Sequence, residues 1–161
     1  MTNEEIENKM YELANKIDYE STNISHLKKA MYCKSIHKDG DGKNRKNYTN
    51  DNYATLGDAL LKCILTEYFF QHDYDKSEIT NKRKELENNN TLFELCNKNG
   101  IINYAYNDAN FYPDAPKNKK VPHPIHDVYI EAIIAAIYLD REFNYCKNWV
   151  IKFFQKNDLL D

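Results

Sequence analysis

An all-α domain is the fold class this sequence predicts, and three observations predict it. Apolar residues recur at three- and four-residue spacing through most of the chain. Only four glycines and four prolines occur among 161 residues, too few for the many turns of a β-sandwich or barrel. All four prolines fall in one stretch, residues 103–124, so the remainder carries no strong helix breaker. The length suits one domain, and a chain of this size buries roughly 70% of its unfolded surface without disulfides or metal.

About seven helices follow in order. Ile6, Met10, Leu13 and Ile17 give an amphipathic helix over residues 3–17. Asn23 or Ser25 caps a second through about Ser35, with Ile24, Leu27, Ala30 and Met31 inward. Residues 37–51 are polar and form a loop. Its Asp-Gly-Asp-Gly opening is not a calcium loop, because Lys43 stands where an oxygen ligand is needed. A strong helix runs from Asn52 to Phe70, with Leu56, Ala59, Leu60, Cys63, Ile64 and Glu67 on one face. Asp75 or Ser77 caps the next, which carries Ile79, Arg83 and Leu86. Asn90 or Thr91 starts another through Leu92, Leu95 and Cys96, stopped by Asn99-Gly100. Residues 103–124 are irregular. From Ile125 to Asp140 the helix is nearly all apolar and should be the buried centre. Phe143 to Lys156 is a last amphipathic helix.

Composition excludes several functions. The net charge of -3 argues against binding nucleic acid by bulk charge. No apolar run approaches the ~20 residues of a membrane span, and the acidic N-terminus does not read as a secretory signal. An intracellular location is expected. Cys33, Cys63, Cys96 and Cys146 are far apart, form no CxxC and read as small buried hydrophobes in a reducing compartment.

Two segments carry chemistry and a third joins them. Leu56-Gly57-Asp58-Ala59-Leu60-Leu61 places a glycine inside a helix. That costs about 1 kcal/mol relative to alanine, so something must approach closely there. Asp58 is expected to face away from the Leu56/Leu60 stripe. Asp127 and Glu131 open the most apolar helix, where a carboxylate is expensive unless paired or bound to metal. The joining segment, Glu78 to Leu92, is expected to carry no catalytic residue of its own.

Together these resemble the catalytic domain of the ribonuclease III family, of the bacterial and Dicer-like type. The family's N-E-R-L-E-F-L-G-D-A-V-L aligns with Asn50 to Leu61, and its A-L-T-H-x-S with Ala30 to Ser35. Its L-T-x-x-R-x-x-L-V-x-N-x-T-L matches Ile79 to Leu92, and its D-x-x-E-A-L-I-G-A-I-Y-L-D resembles Asp127 to Asp140. The resemblance covers roughly residues 10–157, with all segments in order.

The resemblance implies a Mg²⁺-dependent endoribonuclease for double-stranded RNA, with Mn²⁺ as a substitute ion. Carboxylates suit this ion because Mg²⁺ is hard and keeps several waters. The catalytic residues implied are Asp58, Glu131 and Asp127, and Asp51 joins them as a metal ligand. A homodimer is implied, each subunit cutting one strand. RNA contact is assigned to Lys28, Lys29, Lys34, Lys43, Arg45, Lys46, Lys117, Lys119 and Lys120. No double-stranded-RNA-binding domain is recognised in residues 1–161, so RNA affinity is expected to be weak and salt-sensitive, with a separate domain or protein supplying the rest.

Three departures qualify this. Ala54 stands where the family has a glutamate one turn before the aspartate. Asp127 and Glu131 are four residues apart, not three, although both spacings make helix neighbours. Thr55 replaces an aromatic used at the family's dimer interface. His123 and His126 could ligate a transition metal with Asp127 but read better as loop and cap residues. The alternative expectation is a non-catalytic RNA-binding or architectural subunit.

Overall fold

The computed structural model describes residues 1–32, 50–114 and 128–161. Helix α1 (Asn3–Lys16) starts at Thr2, whose hydroxyl accepts from the Glu5 amide while the Glu5 carboxylate accepts from the Thr2 amide. Helix α2 (Ser25–Met31) is shorter than the sequence suggested. Tyr32 is extended instead of helical, with φ -73° and ψ 118°. Its backbone forms an isolated bridge to Tyr106, and its hydroxyl donates to Asp108 at 2.6 Å. Tertiary pairing ends this helix where local propensity would have extended it.

Helix α3 (Asp51–Gln71) covers the expected span. Helix α4 (Lys76–Glu87) is capped by Asp75 in a box with Glu78, and α5 (Asn89–Lys98) starts at Asn88, slightly earlier than expected. Gly100 ends that stretch with φ 67°, a left-handed turn for which glycine is suited. Single 3-10 turns follow at Ile101–Tyr104 and Tyr112–Asp114. Helix α6 (Val128–Lys156) joins the two helices expected at the end of the chain. They are separated where the sequence placed the break: Glu142 has φ 72° and ψ 172°. The described residues therefore hold six helices, or seven straight segments counting both arms of α6, and no strand.

The first arm of α6 is the spine. Ala132, Ile133, Ile134, Ala135, Ala136 and Ile137 are fully buried, so the apolar run is the centre of the core. Helix α3 lies along it, and α2 packs on it through Ala30, Ala132 and Ala136, small residues that let two helix backbones come near. Cys146 donates to the Ile134 carbonyl at 3.3 Å, and burial pushes its thiol up to about 12. Such a thiol is inert.

The segment after α1 is fastened to the bend of α6. Asp140 accepts hydrogen bonds from the Tyr19 hydroxyl, the Thr22 hydroxyl and the Thr22 amide, the last at 2.9 Å. Arg141 donates to the Glu20 carbonyl and lies 4.1 Å from the centre of the Tyr145 ring. The Tyr145 hydroxyl accepts from the Glu20 amide at 2.9 Å.

Two expectations are corrected. The inward face of α3 is Ala54, Gly57, Leu61, Ile64, Leu65, Tyr68 and Phe69. Of the stripe read from the sequence only Ile64 is buried, while Ala59 and Cys63 are exposed and Leu56, Leu60 and Glu67 are half-buried. The close packing of Gly57 against α6 sets the rotation of α3, and it turns that stripe outward. Cys63 is consequently a surface thiol, not a core residue. Cys96 and Cys146 are buried as expected, and Cys33 lies outside the described residues.

Candidate active site at the crossing of two helices

Gly57 is a point where the backbones of α3 and α6 come very close. A Cβ built on it would stand 1.6 Å from the backbone oxygen of Glu131 and 2.4 Å from its carbonyl carbon. Only glycine permits this contact, which is the close approach the sequence required. Asp58, the next residue, and Glu131 therefore arise from one crossing. Glu131 lies in the first described turn of α6, where the helix dipole favours negative charge.

Asp58 is half-buried and pairs with Lys62 one turn later, Nζ to Oδ2 at 3.1 Å. The Asp58 partner and its nearby charge raise the pKa of the Lys62 amine. Ala54, one turn before Asp58, is 6% exposed and packs inward. Asp51 is on the same side of α3, two turns earlier, about 10 Å along the axis. Helix α3 does extend to Asp51, in its first turn, and the Asp51 carbonyl accepts from the Thr55 hydroxyl at 2.9 Å.

Helix α4 adds a pair that sequence reasoning missed. Arg83 Nε lies 3.3 Å from Glu87 Oε1, and Arg83 Nη1 donates to the Thr66 hydroxyl of α3 at 3.1 Å. Burial raises the Glu87 carboxyl; the Arg83 and Lys62 charges oppose this and the Asp58 charge adds to it. The signal was present, since Glu87 stands where the family pattern has an apolar valine and is one turn from Arg83.

The other assigned residues divide into two groups. Lys28 is tied to α1, donating to Asn3 and pairing with Glu7 at 3.8 Å. Lys29 is exposed. Asp127, Lys34, Lys43, Arg45, Lys46, Lys117, Lys119, Lys120, His123 and His126 lie outside the described residues.

Among the described residues no group of three or more His, Cys, Asp and Glu gathers as a metal site. What the crossing offers is two hard carboxylates, Asp58 and Glu131. That donor chemistry fits Mg²⁺, which is held through one or two carboxylates together with water and substrate phosphate. It does not fit a tetrahedral zinc site built from Cys and His.

Residues 51–142 match the family model for the Ribonuclease III domain. The chain belongs to the ribonuclease III family. Ribonuclease 3 of Rickettsia bellii is 30% identical over 156 residues, covering 93% of this chain and 66% of that protein. Ribonuclease 3 of Clostridium tetani is 29% identical over 145 residues, covering 89% of this chain and 59% of that protein. The human Ribonuclease 3 is 31% identical over 99 residues, which cover 60% of this chain and only 7% of the human protein. The chain thus matches a part of these relatives. The nuclease domain of ribonuclease III from Campylobacter jejuni has the same fold, with a TM-score of 0.71 at 24% identity, covering 98% of this chain and 97% of that one. No described helix is long and apolar enough to cross a membrane.

Proposed function

We propose that this ribonuclease III domain is a Mg²⁺-dependent endoribonuclease that cuts double-stranded RNA as a homodimer. The observation that carries the reading is the crossing of α3 and α6 at Gly57 and Glu131, with Asp58 next in the chain. Asp58 and Glu131 would hold the ion, joined by Asp127, four residues before Glu131 in the sequence, and by Asp51 further along the acidic side of α3. The bound ion would activate water and offset the charge that develops on the phosphate. Asp58 and Glu131 would set its position. Glu131 is steadied by the Gly57 contact, since any shift of its backbone meets α3. Lys29 and the other lysines and arginine assigned from the sequence would contact RNA phosphates without reading sequence.

The dimer reading draws on the outer face of α3. Ala59 and Cys63 are exposed there, and Phe70 is 71% exposed. An open apolar depression bounded by Lys62, Cys63, Thr66, Glu67, Phe70 and Arg83 continues this face. Large apolar groups left in water mark association surfaces. The Campylobacter jejuni nuclease domain has a region involved in dimer formation.

The test is incubation with long duplex RNA and Mg²⁺, alongside Asp58→Asn and Glu131→Gln. The wild type should shorten the duplex and both variants should fail to do so. Cleavage that survives both substitutions overturns the assignment. The buried Ala54 favours a second reading, a non-catalytic RNA-binding or architectural subunit. Absence of cleavage by wild type, with duplex binding retained, would select it.

A further inference from the structure

Lys62 and Glu87 are charged residues for which the proposed chemistry has no use, and they sit beside Asp58. Lys62 holds Asp58 Oδ2 at 3.1 Å. Glu87 is the less exposed partner of its ion pair, with 13% of its side chain accessible. Only Oε1 is engaged by Arg83, while Oε2 is buried with no hydrogen-bond partner among the described residues. A buried carboxylate oxygen without a partner is costly. Arg83 meets Thr66 across the α3–α4 hairpin, and one turn along each helix from that contact stand Glu87 and Lys62. Arg83 Nη1 donates to Thr66 on α3 and its Nε faces Oε1, so Oε2 is the oxygen left without a hydrogen bond. The arrangement is a cation resting on one carboxylate, with a second carboxylate nearby that is half-satisfied.

We propose that Lys62 is an internal cation that occupies Asp58 when no metal is bound, and that Glu87 receives the Lys62 ammonium when the ion takes Asp58. This rests on Asp58 being a metal ligand. It makes Lys62 and Glu87 positioning residues, not catalytic ones. In the metal-free protein Lys62 offsets the charge of Asp58. On metal binding the ammonium would be repelled by the ion, and Glu87 Oε2 gives it a place within reach of the same side chain. The pair is well exposed to solvent, so the competition is modest, a factor of about three to five in affinity.

The experiment is a titration with Mn²⁺, reading free ion by electron paramagnetic resonance, and with Mg²⁺ by calorimetry, without RNA. Wild type is compared with Lys62→Met, Glu87→Gln, the double variant and Asp58→Asn, each checked for helicity by circular dichroism. Lys62→Met should bind the ion about three- to fivefold more tightly. Glu87→Gln should bind it more weakly, and this loss should vanish in the Lys62→Met background. At saturating Mg²⁺ the ¹⁵Nζ resonance of Lys62 should reach different end points in wild type and Glu87→Gln, because the ammonium leaves Asp58 in both but meets a carboxylate only in wild type. Equal loss from Glu87→Gln in both backgrounds would make Glu87 an independent electrostatic contributor and overturn the proposal. Unchanged affinity in Lys62→Met would also overturn it. If affinity depends on Asp58 but not on Lys62, only this inference falls. If Asp58→Asn leaves affinity unchanged, the metal role of Asp58 falls with it.

Discussion

Replacing Gly57 with alanine sets two effects of opposite sign against each other. Helix propensity alone favours the change by about 1 kcal/mol. The contact with α6 opposes it. The added Cβ would lie 1.6 Å from the Glu131 oxygen, whereas ordinary contact begins at 3.4 Å, so the backbones must separate by about 1.8 Å. The atoms in the way are main chain, which no rotamer change can move. The strain therefore falls at the upper end of the usual cost of overpacking, about 3 kcal/mol. Subtracting the propensity gain leaves a net loss of about 2 kcal/mol. For a domain of this size that lowers Tm by about 4–8 °C. Urea unfolding and calorimetry on Gly57→Ala measure it, with Ala59→Gly on the exposed side of the same helix as a control. That control should lose about 1 kcal/mol from propensity alone. A Gly57→Ala protein as stable as wild type, or more stable, would refute the close crossing at Gly57 and Glu131.

Three other outcomes are expected. Ala54→Glu restores an acid one turn before Asp58 and should lower the Mg²⁺ concentration needed for half-maximal cleavage. Because Ala54 is buried, the change should also cost about 1–3 kcal/mol, and a metal titration showing no improvement refutes the prediction. For Asp140, burial raises the carboxyl pKa, but hydrogen bonds from Thr22 and Tyr19 outweigh it and hold the group below the ordinary carboxylate value. A depressed carboxylate contributes stability above its unfolded pKa and loses it as pH falls through the folded one. Asp140→Asn should therefore cost about 1–2 kcal/mol at pH 7 and flatten the acid limb of stability against pH. An unchanged limb in urea midpoints would dismiss this. Glu142→Gly should stabilise the protein by about 1 kcal/mol, since φ 72° with ψ 172° strains any residue with a Cβ. Calorimetry showing no gain would mean the bend is not strained.

Much of the fold was legible because its signals are local. Asp75 with Glu78, Asn99 with Gly100 and the break after Asp140 each act within a turn of the chain. The orientation of α3 was not legible. That helix carries apolar residues round most of its circumference, so periodicity does not fix which side turns inward; the one-atom fit of Gly57 does. The end of α2 was missed for a similar reason, since the Tyr32 pairing with Tyr106 spans a large sequence separation. At the site, the close helix contact at Gly57 could be read because a mid-helix glycine demands a neighbour, while Glu131 drew notice as a carboxylate opening an apolar helix. Lys62 and Glu87 could not, because each looks like an ordinary surface charge until α4 is laid against α3.

The central position of α6 also has a consequence during synthesis. The ribosome makes everything before residue 128 first, at about 5–20 residues per second. Through that interval α2 and α3 lack their main packing partner, and Asp140 is not yet present to receive Tyr19 and Thr22. Those contacts join residues 118 to 121 positions apart, which places a large loop closure before much of the stabilising burial. The nascent chain is therefore most open to proteases and to association just before α6 emerges. A chain released short of that helix would carry Asp58 on α3 without the Glu131 backbone that Gly57 packs against.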